Sequence, residues 1–206
     1  GAVIAKVGHQ DTLLFHHHYD ARRYHYQYPL IQYKLIRQQP GLLCLHRGVE
    51  ESHKLFAQPD WTLQIGEREL PMRIARLELN QFRMVAGSQL HSYQIRQWIA
   101  LDQRSYKEYQ TTNGLTERIR LLESKLVGNV ISFAKGIGWT LPDKEVQPVL
   151  CHIDEMLPTS TVRLKGLNMM GFNLHFRTNV FLPDYIGLGN NASLGFGVVS
   201  RPRPTR

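Results

Sequence analysis

Three consecutive histidines, His16, His17 and His18, lie near the amino end of this 206-residue chain and are suited to acid–base chemistry. In an extended chain, side chains alternate between two faces, so His16 and His18 share one face and His17 lies on the other. Because an ordinary imidazole has a pKa of about 6.5, one of the pair can accept a proton from a nucleophile while the other donates one to a leaving group. The same His-x-His spacing could instead bind a metal or be polar surface, although no further ligand follows at zinc-site spacing.

Basic side chains alternate with tyrosines in the stretch from residue 22 to residue 37. Its members are Arg22, Arg23, Lys34, Arg37, Tyr24, Tyr26, Tyr28 and Tyr33. Cations that contact phosphates and rings that stack on unpaired bases are typical of RNA binding. A tyrosine-rich strand whose alternate residues belong to the core is the other interpretation.

Two Gly-x-Gly pairs, Gly187 with Gly189 and Gly195 with Gly197, stand close together near the carboxyl end. Glycines let a backbone approach another group closely, and bare amides can cradle a phosphate. The spacing matches neither the dinucleotide fingerprint GxGxxG nor a Walker loop, since no GK[ST] follows. An irregular hairpin is the alternative interpretation.

The charge balance of the whole chain also favours a nucleic-acid partner. Lys and Arg total 25 against 17 Asp and Glu, a formal net charge of +8, and 17 of the 25 cations are Arg, the residue that binds phosphate in a bidentate manner. The apolar share of 42% indicates an ordered globular protein, and no apolar run approaches the ~20 residues that cross a bilayer. Only two cysteines, Cys44 and Cys151, and no signal-peptide pattern predict a reduced, cytoplasmic setting.

The residue pattern predicts strands, then helices, then strands. In the front half, strands are predicted over residues 1–7, 13–19, 24–36, 42–46 and 61–101. A short helical stretch is predicted over residues 49–56. Helices are predicted over 102–110 and 115–135, the second capped by Thr112-Asn113 and ending at residues 136–138. Strands are predicted again over 149–153, 161–165, 168–181 and 196–199. This order favours an α+β fold with open sheets covered by helices on one face, divided into residues 1–101 and 102–206.

Five segments, in order along most of the chain, resemble one family. They are F-H-H-H at 15–18, Y-P-L-I-Q-Y-K at 28–34, W-I-A-L-D-Q-R-S-Y at 98–106, L-V-G-N-V-I-S-F-A-K at 126–135 and the glycine-rich stretch within 171–197. They are similar to the CRISPR-associated repeat-processing endoribonucleases of the Cas6 family, in the RAMP superfamily, and specifically to the type I-B subgroup. The chain departs from the family pattern at His17, which replaces Asn, and at Asn190 and Leu194, which replace Lys and Arg.

The resemblance implies two ferredoxin-like (RRM-like) domains with antiparallel sheets, the first lacking its leading strand in this chain. It also implies cleavage of CRISPR precursor RNA within repeats, without a metal or any other cofactor. The ribose 2′-OH attacks the adjacent phosphate and leaves a 2′,3′-cyclic phosphate and a 5′-hydroxyl. The implied partners are the CRISPR repeat RNA and other Cas proteins of a type I effector complex.

By the same resemblance, His16 and His18 are the acid–base pair. A nearby tyrosine, Tyr26 or Tyr28, or Lys34 would stabilise charge on the phosphorane, and Tyr28 is the third catalytic candidate. The candidate RNA-binding residues are Arg22, Arg23, Lys34, Gly187, Gly189, Gly195 and Gly197. Two alternatives stay open at this point: a repeat-RNA-binding subunit that does not cut, and a His-x-His metal protein unrelated to RNA.

Overall fold

The computed structural model describes residues 2–7, 27–36, 38–164 and 166–202. The amino-terminal half of these residues forms α1 (Ala2–Val7), β1 (Ile31–Ile36), β2 (Gln39–Cys44), α2 (Arg47–Phe56), β3 (Thr62–Ile65) and β4 (Arg68–Pro71). The carboxyl-terminal half forms β5 (Ala86–Trp98), α3 (Gln103–Thr111), α4 (Leu115–Gly136), β6 (Cys151–Leu164), β7 (Leu167–Val180), a 3₁₀ turn (Ala192–Leu194) and β8 (Val198–Ser200). Among the helices described, none combines the length and the apolar character that crossing a bilayer requires.

The four strands of the carboxyl-terminal half form one antiparallel sheet in the order β6-β7-β5-β8. Counted within this half the order is 2-3-1-4, and helices α3 and α4 connect the first strand to the second, as in a ferredoxin-like β-α-β-β-α-β domain. Where that motif would place its second helix, between β7 and β8, the chain has the glycine-rich segment 181–197 with its short 3₁₀ turn. The predicted α+β, ferredoxin-like class is confirmed, and the topology lays the glycine-rich segment beside the sheet.

The amino-terminal half follows the same plan in its order of elements. β1 pairs with β2 in an antiparallel hairpin, and β3 pairs with β4 in another. The order α1-β1-β2-α2-β3 repeats the last five elements of the β-α-β-β-α-β motif. The helical prediction at 49–56 is confirmed by α2.

The core lies between α4 and the inner face of the carboxyl-terminal sheet. Leu122, Leu126, Val130 and Phe133 recur at helical spacing on α4 and are fully buried. They pack with alternate residues of the central strands, among them Tyr93, Ile95, Leu174 and Phe176. Burying each such side chain contributes roughly 1.5–3 kcal/mol relative to leaving it exposed, so this layer fixes the sheet that carries the glycine-rich segment.

The strand prediction for residues 1–7 is wrong, because Ala2–Val7 is helical. Alanine and lysine favour a helix, and six residues are too few to show a period. A tertiary contact also holds this turn, since Lys6 Nζ lies 2.7 Å from Asp60 Oδ2 beside β3.

The two predicted central helices are confirmed, but their caps differ from the prediction. Asp102 caps α3, accepting a hydrogen bond from Ser105 N at 2.8 Å. Gly114 is the N-cap of α4 and makes no side-chain cap bond. Thr112 instead ends α3, because its hydroxyl donates to Glu108 O at 2.7 Å.

The strands predicted at 149–153 and 161–165 are parts of one long strand, β6. Its pairing with β7 shifts register between Leu157 and Ser160, where Pro158 cannot donate a ladder hydrogen bond. Proline therefore produces an irregularity in the strand and does not end it.

Strand pairing also indicates where the chain divides into two domains. The sequence predicted this division at residue 101. β5 pairs with both β7 and β8, so Ala86–Trp98 lies inside the carboxyl-terminal sheet. Residues 72–85 contain no regular secondary structure and connect β4 to β5. We therefore place the division in this connecting segment.

Candidate nucleic-acid interface

Backbone hydrogen bonds fix the glycine-rich segment onto the carboxyl end of β5. Leu188 N donates to Gly197 O at 2.9 Å, and Gly197 N donates to Gln97 O at 3.1 Å. Asn190 N donates to Ile99 O at 3.0 Å. Because these N–H groups are used inside the protein, they do not form an open cradle for a phosphate.

One glycine of this segment makes room for a tryptophan at the start of the 98–106 motif. Gly189 has a φ of +83°, and a Cβ there would lie 2.6 Å from Trp98 Nε1. That indole N–H donates to Asn129 Oδ1 in α4 at 2.9 Å. The glycine-rich segment, the 98–106 motif and the 126–135 motif therefore meet at one buried point.

A closed set of hydrogen bonds joins the 28–34 motif to Gly187. The Tyr28 hydroxyl donates to Gly187 O at 2.9 Å and accepts from Gln32 Nε2 at 2.9 Å. Gly187 N in turn donates to Gln32 Oε1 at 2.8 Å. Burial raises the pKa of Tyr28 above its ordinary value, so this hydroxyl stays protonated and keeps donating to the loop.

Lys34 makes a second attachment from the same strand face to the same loop. Its Nζ donates to Ala192 O at 3.2 Å, and the side chain is only 5% exposed. Burial lowers the pKa of Lys34 to about 7. Tyr28, Gln32 and Lys34 thus hold the glycine-rich segment at two points, and we call these three residues the loop clamp.

The buried amine of Lys34 should make stability depend on pH. In the unfolded chain the amine titrates at its ordinary pKa of 10.5, whereas in the folded protein it titrates at about 7. Between these values the unfolded chain binds the extra proton, so the free energy of unfolding rises with pH, by at most about 1.4 kcal/mol per pH unit. Below a pH of about 7, Lys34 is protonated in both the folded and the unfolded state. The folded protein then bears the full free-energy cost of burying the charge.

We expect Lys34→Met to remove this pH dependence. Urea unfolding of both proteins should show that the variant's free energy of unfolding, relative to the parent, falls as the pH is raised from about 6.5 to about 9.5. Lys135→Met, at an exposed lysine of α4, is the matched control. Parallel pH profiles for Lys34→Met and the parent protein would contradict the prediction.

A cleft of about 1050 Å³ opens on the other side of the glycine-rich segment. Its walls are residues 189–194 of that segment, residues 159–161 and 167–170 of the β6–β7 hairpin, and the start of α3. Gln27, the first described residue after the histidine-containing segment, also lines it. The loop clamp and the cleft therefore share one structural element.

The structure describes some of the site residues predicted from the sequence and not others. His16, His18, Arg22 and Arg23 lie outside the described residues, so their roles stay predictions. Tyr28 and Lys34 are buried in the loop clamp, and their polar atoms face the protein and not an open phosphate site. Both residues therefore hold the loop, and their predicted roles in catalysis and RNA binding stay predictions.

The four predicted glycines lie in that loop, with Gly187 and Gly197 buried and Gly189 and Gly195 partly buried. Their close packing favours a supporting role over direct contact with RNA. Sequence reasoning missed Gln32 as a site residue. The signal was present, since Gln32 stands at even spacing from Tyr28 and Lys34 within the strand predicted over residues 24–36.

Models of known protein families match the two halves of this chain in order. The family model for the Cas6b N-terminal domain matches residues 1–83, and that for the Cas6b C-terminal domain matches residues 85–202. An uncharacterized protein of Methanocaldococcus jannaschii is 33% identical over 127 residues, which are 62% of this chain and 82% of that protein.

Solved structures show the same likeness. A crystal structure of Cas6b has a TM-score of 0.76 and 25% identity, with 91% of this chain and 84% of that chain covered. A crystal structure of the CRISPR RNA processing endoribonuclease Cas6b has a TM-score of 0.63 and 26% identity, with 84% and 82% covered. The type IV Cas6 crRNA endonuclease Csf5 shares the fold, with a TM-score of 0.56, 14% identity and 93% and 77% covered.

The two domain models together span nearly the whole chain, and the boundary between them lies in the segment that connects β4 to β5. The chain therefore belongs to the Cas6b family.

Proposed function

We propose that this protein is an endoribonuclease that cuts CRISPR precursor RNA within its repeats to release crRNA. The observation that carries the proposal is the match to both Cas6b domain models, in order, along the chain. Similarity over 84% of the chain to a structure named as a CRISPR RNA processing endoribonuclease supports it. The net charge of +8 suits a polyanionic substrate.

The proposed reaction is an attack by a ribose 2′-OH on the adjacent phosphorus. One histidine of the pair His16 and His18 accepts the 2′-OH proton as the new P–O bond forms. The other donates a proton to the 5′ oxygen as the P–O5′ bond breaks. The products are a 2′,3′-cyclic phosphate and a 5′-hydroxyl, and the protons balance without a metal or an external nucleophile.

In this proposal the loop clamp is positioning machinery. Tyr28, Gln32 and Lys34 follow closely after the histidine-containing segment in the chain, and they fix the glycine-rich segment at Gly187 and Ala192. A fixed arrangement of this kind reduces the cost of holding substrate and catalytic groups in a reactive geometry.

We expect a CRISPR repeat RNA to be cut equally well in EDTA and in Mg²⁺. A single 2′-deoxyribose at the cut site should abolish cleavage there, because the nucleophile is gone, while leaving binding intact. Mass spectrometry of the 5′ fragment should show a terminus lighter by one water than a linear phosphate. The same 2′-deoxy substitution one nucleotide away from the cut is the control and should leave cleavage unchanged.

Two results would contradict parts of this proposal. Loss of cutting in EDTA would exclude the metal-independent reaction. Tight binding of repeat RNA with no product over several hours would instead identify a binding subunit of a CRISPR complex. Retention of the product by other Cas proteins stays a prediction, which co-purification with the crRNA can test.

A further inference from the structure

The described residues that line the cleft beside the glycine-rich segment are almost all uncharged, although the chain as a whole is strongly basic. Among the described residues that line it, Asp102 alone carries a charged side chain. Its carboxylate is already used, because Oδ1 accepts from both the backbone N and the hydroxyl of Ser105 at 2.8 Å. Phosphates bind where Lys or Arg neutralise them, so this lining is not built to hold an RNA backbone.

The lining is instead rich in neutral groups that both donate and accept hydrogen bonds. Side-chain amides come from Gln27, Gln103, Asn168 and Asn191. An amide presents a donor and an acceptor side by side, which is the pattern that pairs with the edge of a nucleobase.

An aromatic ring and an apolar floor complete the lining. Tyr106 of α3 contributes a half-buried ring, and the buried residues Ile99 and Leu101 also line the cleft. Met169 and Met170 of β7 add further apolar lining. Aromatic rings stack on unpaired bases, and apolar side chains can pack against the faces of bases. The same apolar side chains would be unfavourable neighbours for a backbone phosphate.

We propose that this cleft binds one or more unpaired bases of the substrate RNA, with their phosphates outside it. This inference rests on the proposed function and deepens it by naming the part of the substrate that the cleft receives. The bases must be unpaired, because a paired base hides the edge that the amides would read. At about 1050 Å³ the cleft slightly exceeds the range of roughly 300–1,000 Å³ typical of small-ligand sites.

The test measures binding of a repeat RNA that carries a 2′-deoxyribose at the cut site, so that the RNA stays intact. Each position of this RNA is replaced in turn by an abasic ribose, and affinity is measured by fluorescence anisotropy for the parent protein and for Tyr106→Ala. We expect Tyr106→Ala to weaken binding roughly 5- to 150-fold, as loss of one stacked base does. Tyr106→Phe, which keeps the ring, should bind nearly as the parent does.

Abasic substitution should identify the bound base. At that position it should weaken the parent about as much as Tyr106→Ala does, and combining the two changes should add little further loss. At other positions the two losses should multiply. The salt dependence of binding should be the same for parent and variant, because no phosphate contact is lost.

Two further variants separate the inference from a folding defect. Asn168→Ala removes an exposed amide from the opposite wall and should weaken binding with the same position dependence. Lys107→Ala changes an exposed neighbour of Tyr106 outside the cleft lining and should not show that position dependence.

The inference is overturned if Tyr106→Ala and Asn168→Ala both bind as the parent does. It is equally overturned if their losses multiply with every abasic position, which would indicate that the two side chains affect binding without contacting any base. Failure of the parent protein to bind or cut repeat RNA would be a different result, since it would remove the proposed function itself.

Discussion

Replacing both His16 and His18 with alanine is expected to abolish measurable cleavage of repeat RNA while leaving its binding in place. A positioned proton donor or acceptor contributes about 10²–10⁴-fold to a rate, and this reaction uses one of each. Single-turnover cleavage with the enzyme in excess is the appropriate measurement, because it isolates the chemical step from product release. Each single variant should already show a loss within that range.

His17→Ala is the matched control for the histidine pair. It removes an identical side chain from between the two candidates, and an extended chain places it on the opposite face. Its rate should stay close to that of the parent. Full activity in the double variant would exclude the assignment, and a loss confined to His17→Ala would identify His17 as the catalytic histidine in place of the pair.

Gly197→Ala is expected to destabilise the protein by about 2–5 kcal/mol, from overpacking and from a left-handed backbone conformation that disfavours any Cβ. Gly197 has a φ of +62°, and a Cβ there would lie 1.9 Å from Leu188 O. The obstructing atom is a backbone carbonyl in the pair that closes the loop, so a side-chain rotation cannot relieve the overlap. Urea unfolding measures the effect, and we expect cleavage to fall with it, because the same loop carries the contacts of the clamp.

Gly128→Ala is the control for this substitution. Gly128 lies on the exposed side of α4, and a Cβ there would meet nothing within 4 Å. Alanine in a helix interior is more favourable than glycine by roughly 0.5–1 kcal/mol, so this variant should be slightly more stable than the parent. Equal stability of the two variants would mean that the loop can move away from Leu188.

Local patterns in the sequence were sufficient for the helices of the carboxyl-terminal half. Leu122, Leu126, Val130 and Phe133 recur at helical spacing and occupy the core face of α4 as that spacing predicts. Tyr93 and Ile95 alternate with polar residues and are both buried in β5. Such periods are visible in a sequence because each element buries a single face.

Contacts between residues far apart in the chain, by contrast, could not be predicted from local sequence patterns. Gln32 and Gly187 are 155 positions apart, and nothing near either residue predicts the hydrogen bond between them. The same reason applies to the domain division predicted at residue 101, because membership of β5 in a sheet depends on which distant strands it pairs with.

The sequence by itself therefore determined the α+β class, the helical centre and the Cas6 resemblance, since these depend on composition, short periods and ordered motifs. Only the tertiary structure decided that Tyr28 and Lys34 hydrogen-bond to the glycine-rich loop, and that the described residues lining the cleft are almost all uncharged in a basic protein. A side chain's type fixes which bonds it can make, but its surroundings decide which of them it does make. Those surroundings are assembled from segments far apart in the chain.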